Sequence, residues 1–144
     1  LRKYILTIIF LLLAANLYAD EIVVIVNEQG PLIQISEAEI REIYIGNIKF
    51  MGRAAVTPIH YSEGHVKDAF LASIVKMNSR EYRLYWTKKV FQEGGSVPST
   101  LSSFPSILSF VKNTPGAIGY APASELTGIK GIKAIVTIRL PISP

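Results

Sequence analysis

Residues Ile22 to Val26 place five β-branched aliphatic side chains in succession. Such side chains are stiff at χ1 and pack well on a pleated surface, so Glu21 to Val26 reads as a buried strand. Asn27-Glu28-Gln29-Gly30-Pro31 then breaks it. A strand of this kind needs partners, and the rest of the chain supplies them in alternation with helices.

Ser36 and Glu39 form a capping-box pattern, with Ile35 and Ile40 where a hydrophobic staple packs. Ile40, Ile43 and Tyr44 make one helical face and Gly46 suits its stop. Val56 to Tyr61 reads as a short strand, and Ser62-Glu63-Gly64 turns it into the helical spacing of Val66, Phe70 and Ile74, with Ser62 as the expected N-cap. Asn78 and Glu81 repeat the capping box before Tyr82, Tyr85, Trp86 and Val90. The three aromatic residues are expected in the core, with Arg80, Arg83, Lys88 and Lys89 on a solvated face. Gly94 to Ser103 reads as a loop, and Pro105 leads a helix through Ile107, Leu108 and Val111 that ends at Thr114-Pro115-Gly116. Ala117 to Ala121 and Ile132 to Ile138 complete the strands. The pattern predicts an α/β domain with a mixed or mostly parallel sheet flanked by helices.

The first 19 residues stand apart. Arg2 and Lys3 precede an apolar stretch from Tyr4 to Ala15, and Leu17-Tyr18-Ala19 offers a small residue before Asp20-Glu21. This is the layout of a signal peptide cleaved after Ala19, too short an apolar run for a spanning helix, and it leaves 20–144 as a single domain. Export to the periplasm is expected. The chain has no cysteine, so disulfides, a thiolate zinc site and lipoprotein attachment are excluded. Residues 1 to 19 contain no acid, so loss of Arg2 and Lys3 lowers the formal charge from +4 to +2. Little basic surplus remains to argue for nucleic acid.

Catalytic signatures are missing. Gly94-Gly95-Ser96 lacks the Gly-Lys-Ser ending of a P-loop, and no Gly-x-Ser-x-Gly elbow occurs. His60, His65 and Glu63 on one turn make neither a metal-ligand spacing nor a site with a nucleophile. The expectation is a protein that is not an enzyme and takes no cofactor or metal.

Three stretches resemble the phosphate-type periplasmic solute-binding proteins of bacterial uptake systems. They are Ser36 to Ile40 with Ile43-Tyr44-Ile45-Gly46-Asn47; Phe70-Leu71 followed by Tyr82, Trp86, Phe91 and Gly94; and Asn113-Thr114-Pro115-Gly116-Ala117-Ile118-Gly119-Tyr120. The last is the most specific. Together they span Glu21 to Ile138 and are similar to one lobe of the family's two-lobe, type 2 periplasmic-binding-protein-like fold. The resemblance implies a binding role for phosphate or another small oxyanion, with an inner-membrane transporter or envelope sensor as partner. The family's anion ligands are an Arg near a strand end and a Ser-Gly-Thr turn at the next helix. Here His60 falls at the place of the Arg, and Ser62, Gly64 and His65 span the turn. These four residues are the implied ligand set, presenting a hydroxyl, open amides and imidazoles. The alternative is a lobe that has lost solute binding and serves as an interaction module.

Overall fold

The computed structural model describes residues 21–140. The predicted leader, residues 1–19, lies outside the described residues. No helix among the described residues is long and apolar enough to cross a membrane.

The elements run β1 (Glu21–Asn27), α1 (Glu37–Tyr44), a hairpin of β2 (Phe50–Met51) and β3 (Ala54–Ala55), then β4 (Thr57–Tyr61). Next come α2 (His65–Phe70), continued by a π turn over Leu71–Val75, then α3 (Ser79–Glu93) and β5 (Ser99–Leu101). The chain finishes with α4 (Phe104–Asn113), β6 (Ala117–Pro122), a 3-10 turn (Ala123–Leu126) and β7 (Ile132–Arg139). The main sheet has the order β5-β4-β6-β1-β7. β5, β4 and β6 are mutually parallel, while β1 runs antiparallel to both β6 and β7. All strands but β1 therefore point one way, and the sheet is mixed, as the interleaved pattern predicts.

The β1 run explains the layering. Its alternate side chains divide between two cores: Ile22, Val24 and Val26 join α1, α2 and α3 on one face. Val23 and Ile25 join α4 on the other. A central strand covered on both faces has no position for a polar side chain, which is why its sequence is unbroken. β6 accommodates the two layers asymmetrically. Ile118 and Tyr120 face the thicker core, whereas Ala117, Gly119 and Ala121 alternate on the α4 side. A Cβ on Gly119 would stand 3.0 Å from Ile107 Cγ2 and 3.4 Å from Val111 Cγ2, so its absence lets α4 sit close to the sheet.

Both capping boxes form as read. Ser36 accepts from Glu39 N–H and Asn78 from Glu81 N–H, and each glutamate returns to the cap's amide. Asn27 ends β1 by donating through Nδ2 to the carbonyls of Val111 (3.1 Å) and Lys112 (2.8 Å), closing the α4 C-terminus against the sheet.

Some expectations need correction. The segment 94–103 is not all loop, because Ser99–Leu101 pairs with β4 as the parallel edge strand β5. Ser62 does not cap α2. The N-cap is Gly64, at φ 147, and no side chain caps this end. Tyr82 and Trp86 are buried, but Tyr85 is only half-buried and Val90 faces solvent.

Candidate functional site

β4, β5 and β6 point their C-terminal ends to one edge of the sheet, where strand-to-helix turns leave the fold. In open α/β sheets this is the edge at which ligands collect. β4 exits through Ser62-Glu63-Gly64 into α2, and β5 exits through Ser102-Ser103 into α4. The register Tyr61↔Leu101 carries Ser62 and Ser102 out side by side. Tyr61 and Phe104 stack at 4.0 Å between ring centroids with planes 22° apart, and so clamp the two turns together.

The predicted ligand set divides on this frame. Ser62 is half-buried, while Gly64 and His65 are exposed at the start of α2. With no side chain capping α2, its first amides point outward from a turn that only glycine adopts readily at φ 147. Glu63 does not stand free in this turn. It pairs with Lys67 Nζ at 2.7 Å and accepts from Ser79 Oγ at 3.3 Å. The hydrogen bond from Lys67 is the main reason its carboxyl is held below the ordinary value.

His60 lies elsewhere. It is 1% exposed, and both ring nitrogens are occupied. Tyr82 Oη donates to the Tyr44 carbonyl at 2.7 Å, so at 2.9 Å from His60 Nε2 it is the acceptor and Nε2 carries the proton. Nδ1 then accepts from Tyr120 Oη at 2.9 Å, and Tyr120 Oη in turn accepts from Tyr61 N–H at 3.2 Å. The result is a single directed chain from Tyr61 N–H through Tyr120, His60 and Tyr82 to the Tyr44 carbonyl, with one neutral tautomer and every member satisfied. Burial, reinforced by the charge of Lys67, pushes the imidazole down to about 3. Burial likewise raises the hydroxyls of Tyr44, Tyr82 and Tyr120 above their ordinary values.

Tyr44 completes the core. β4 and β6 are laddered only at Thr57↔Ala117 and Pro58↔Ile118. Where they part, Tyr44 Oη shares its proton between the carbonyls of Ile59 (3.0 Å) and Ile118 (3.1 Å). The strands thus splay around a set of aromatic rings, with Phe70 and Tyr120 stacked at 4.1 Å.

The sequence reading missed Ser102 and Ser103. Ser103 caps α4, accepting from Ser106 N–H at 3.3 Å, with Phe104 and Pro105 opening the helix. A serine just ahead of a first-turn proline was the available signal. What remains at the edge is a set of hydroxyls, free amides, two adjacent helix N-termini and the His65 ring. That arrangement can hydrogen-bond a small anion; the cations beside it are Lys67, paired with Glu63, and Arg83, which donates to Ser79 Oγ. Among the described residues, no group of three or more His, Cys, Asp or Glu is placed to hold a metal ion.

This fold is one lobe of the periplasmic-binding-protein-like architecture, a mixed sheet with helices on both faces. Comparison with solved structures supports that assignment. An ABC-type phosphate transport receptor from Vibrio cholerae superposes with a TM-score of 0.61 at 17% identity, covering 82% of this chain and 46% of that one. A putative phosphate ABC transporter substrate-binding protein with bound phosphate from Clostridium perfringens gives 0.58 at 22% identity, covering 82% and 45%. PstS from Borrelia burgdorferi gives 0.61 at 14%, covering 82% and 47%. The chain therefore spans less than half the length of these structures. No protein-family model and no curated protein matches the sequence.

Proposed function

We propose that this chain is an exported, non-enzymatic solute-binding-like lobe associated with phosphate or another small oxyanion in an envelope uptake system. The observation that carries the reading is a fold shared with phosphate receptors in which an uncapped strand-to-helix turn sits at the C-terminal edge of the parallel strands. The anion contacts in this reading are the amides from Gly64 onward, the hydroxyls of Ser62 and Ser102, and the His65 ring. His60 is a support and not a ligand. Such a site gains from helix dipoles but lacks a paired cation, and a single lobe leaves the anion open to water. Binding is therefore expected near the millimolar level, about 4 kcal/mol, rather than the micromolar level of about 8.

Titration with phosphate and with sulfate, followed by backbone amide shifts, tests this. Shifts should cluster at 62–66 and 102–104, and Gly64→Pro, which removes an amide, should abolish them. No shifts at high anion concentration would end the oxyanion reading. A second reading, an interaction module for a transporter or sensor that no longer holds solute, is favoured by His60 being buried with both ring nitrogens hydrogen-bonded and by Glu63 already taking up Lys67. It predicts that absence of shifts.

A further inference from the structure

The outward face of α3 carries two of the exposed large apolar side chains. Phe91 is 91% exposed and Leu84 60%, two helical turns apart on one stripe. Large side chains exposed together in this way mark contact surfaces more often than chance. Arg80, Arg83 and Lys88 surround them, and among the described residues none forms an ion pair. The two acids of the helix are committed elsewhere, Glu81 to the Asn78 capping box and Glu93 to Lys89. The face is thus apolar along its centre and positive around it.

A groove of about 620 Å3 opens beside this stripe. It lies between Trp86, Val90 and Phe91 of α3 and Val97 and Pro98, with the buried His60 and Tyr82 among its lining; Arg83 and the Glu63–Lys67 pair add one net positive charge. The strap 94–98 that forms the far wall has a second hollow of about 280 Å3 on its other flank. It is anchored by Gly94 and Gly95, both at positive φ with nothing within 4 Å of a Cβ position. Val97 is half exposed over the groove.

We propose that the outer face of α3 and the groove beneath the 94–98 strap form a docking site for an acidic protein segment bearing an apolar anchor side chain. The unpaired cations select the partner's charge, and the concave, apolar groove takes a protruding side chain. A flat lipid surface has nothing to place there, which favours protein over membrane. The inference does not rest on the oxyanion reading, because its anchor residues Leu84, Phe91, Arg80 and Lys88 lie outside the Ser62 to His65 turn; only Glu63 of that turn reaches the groove, where it is already paired with Lys67.

The test uses the chain from residue 20 to 144 and a soluble, end-blocked peptide of Glu, Leu and Phe, with a Glu-only peptide, phosphatidylglycerol vesicles and phosphate as comparisons. Amides of 80–100 and the Trp86 indole signal should shift with the mixed peptide, and phosphate should not compete. Phe91→Ser, at a site too exposed to threaten folding, should weaken binding about tenfold or more, worth ~1.4 kcal/mol. Arg83→Glu with Lys88→Glu should do the same, and added salt should weaken the parent's binding. Four results overturn the proposal: no shifts on α3, binding by Phe91→Ser equal to the parent, tighter binding to the vesicles than to the peptide, or Phe91-dependent self-association, which would assign the surface to a second copy.

Discussion

His60 makes the fold acid-sensitive in a way that can be calculated. Its ring is neutral in the folded state and held at about 3, whereas an unfolded histidine takes a proton near 6.5. Below 6.5 the unfolded chain binds a proton that the folded chain does not, so stability falls as pH falls. The loss begins near pH 6.5 and ends near 3, where the folded form also protonates. At about 1.4 kcal/mol per pH unit the whole window amounts to ~5 kcal/mol, a large share of the 5 to 15 kcal/mol typical of a domain. Burial and then the Lys67 charge set the shift, and the hydrogen bonds oppose protonation as well. A second ring proton at Nδ1 would face the Tyr120 hydroxyl, which now donates to that atom and already accepts from Tyr61 N–H. Protonation therefore breaks a directed chain as well as placing a charge in the core.

Glu39 and Glu63 also have lowered values and act in the same direction, but only below the carboxylate range. The interval from about pH 6.5 to 5 isolates the histidine. Urea unfolding of the parent and of His60→Gln across that interval is the assay, since glutamine has both a donor and an acceptor but no titration. The parent should lose about 1.4 kcal/mol per unit that the variant does not. Where the variant fails to fold, the nitrogen shifts of His60 in the parent serve instead: they should show the proton on Nε2 throughout. Equal slopes in the two proteins, or a His60 ring that titrates near 6.5 while the protein remains folded, would refute the reasoning.

Three further predictions rest on other parts of the molecule. Trp86→Ala should cost about 3 to 5 kcal/mol in thermal or urea unfolding, because a nearly buried indole packed against Tyr82 and Tyr85 leaves a cavity. Asn27→Ala should cost about 1 to 3 kcal/mol and speed amide exchange at the end of α4, since the carbonyls of Val111 and Lys112 lose their donor. Intact mass of protein recovered from the periplasm of an expressing cell should correspond to loss of residues 1–19; a product retaining Arg2 and Lys3 would show that the leader stays attached.

Elements whose side chains alternate or cap were legible in the sequence. β1 was visible because a strand covered on both faces must be apolar at every position, and the helices at Ser36 and Asn78 because a capping box is a local device. β5 was hidden: Ser99–Leu101 has no hydrophobic pattern of its own and is a strand only because the edge of β4 pairs with it. The candidate site was legible in part for the same reason. Gly64 and His65 lie at a turn that local signals locate, but Ser102 reaches the same place through a register set by distant residues. His60 was the hardest, because a histidine in so short a strand looks like an outward position. Its burial depends on tyrosines from α1, α3 and β6, and no spacing along the chain announces that convergence.

The buried chain of hydrogen bonds and the exposed turn are also mechanically linked. Beyond Pro58, β4 has no ladder partner on the β6 side, so the position of its end is set by side chains: Tyr44 holds the Ile59 carbonyl and Tyr120 holds the Tyr61 amide. Ser62 is the next residue. A histidine in this place therefore contributes to any anion contact by fixing where the strand ends. Both of its ring nitrogens are already hydrogen-bonded, to Tyr120 and Tyr82. Loss of the His60 ring should loosen the Ser62 to Gly64 turn, whereas loss of the exposed His65 ring should leave the turn in place, and only under the proposed oxyanion reading would it remove a contact.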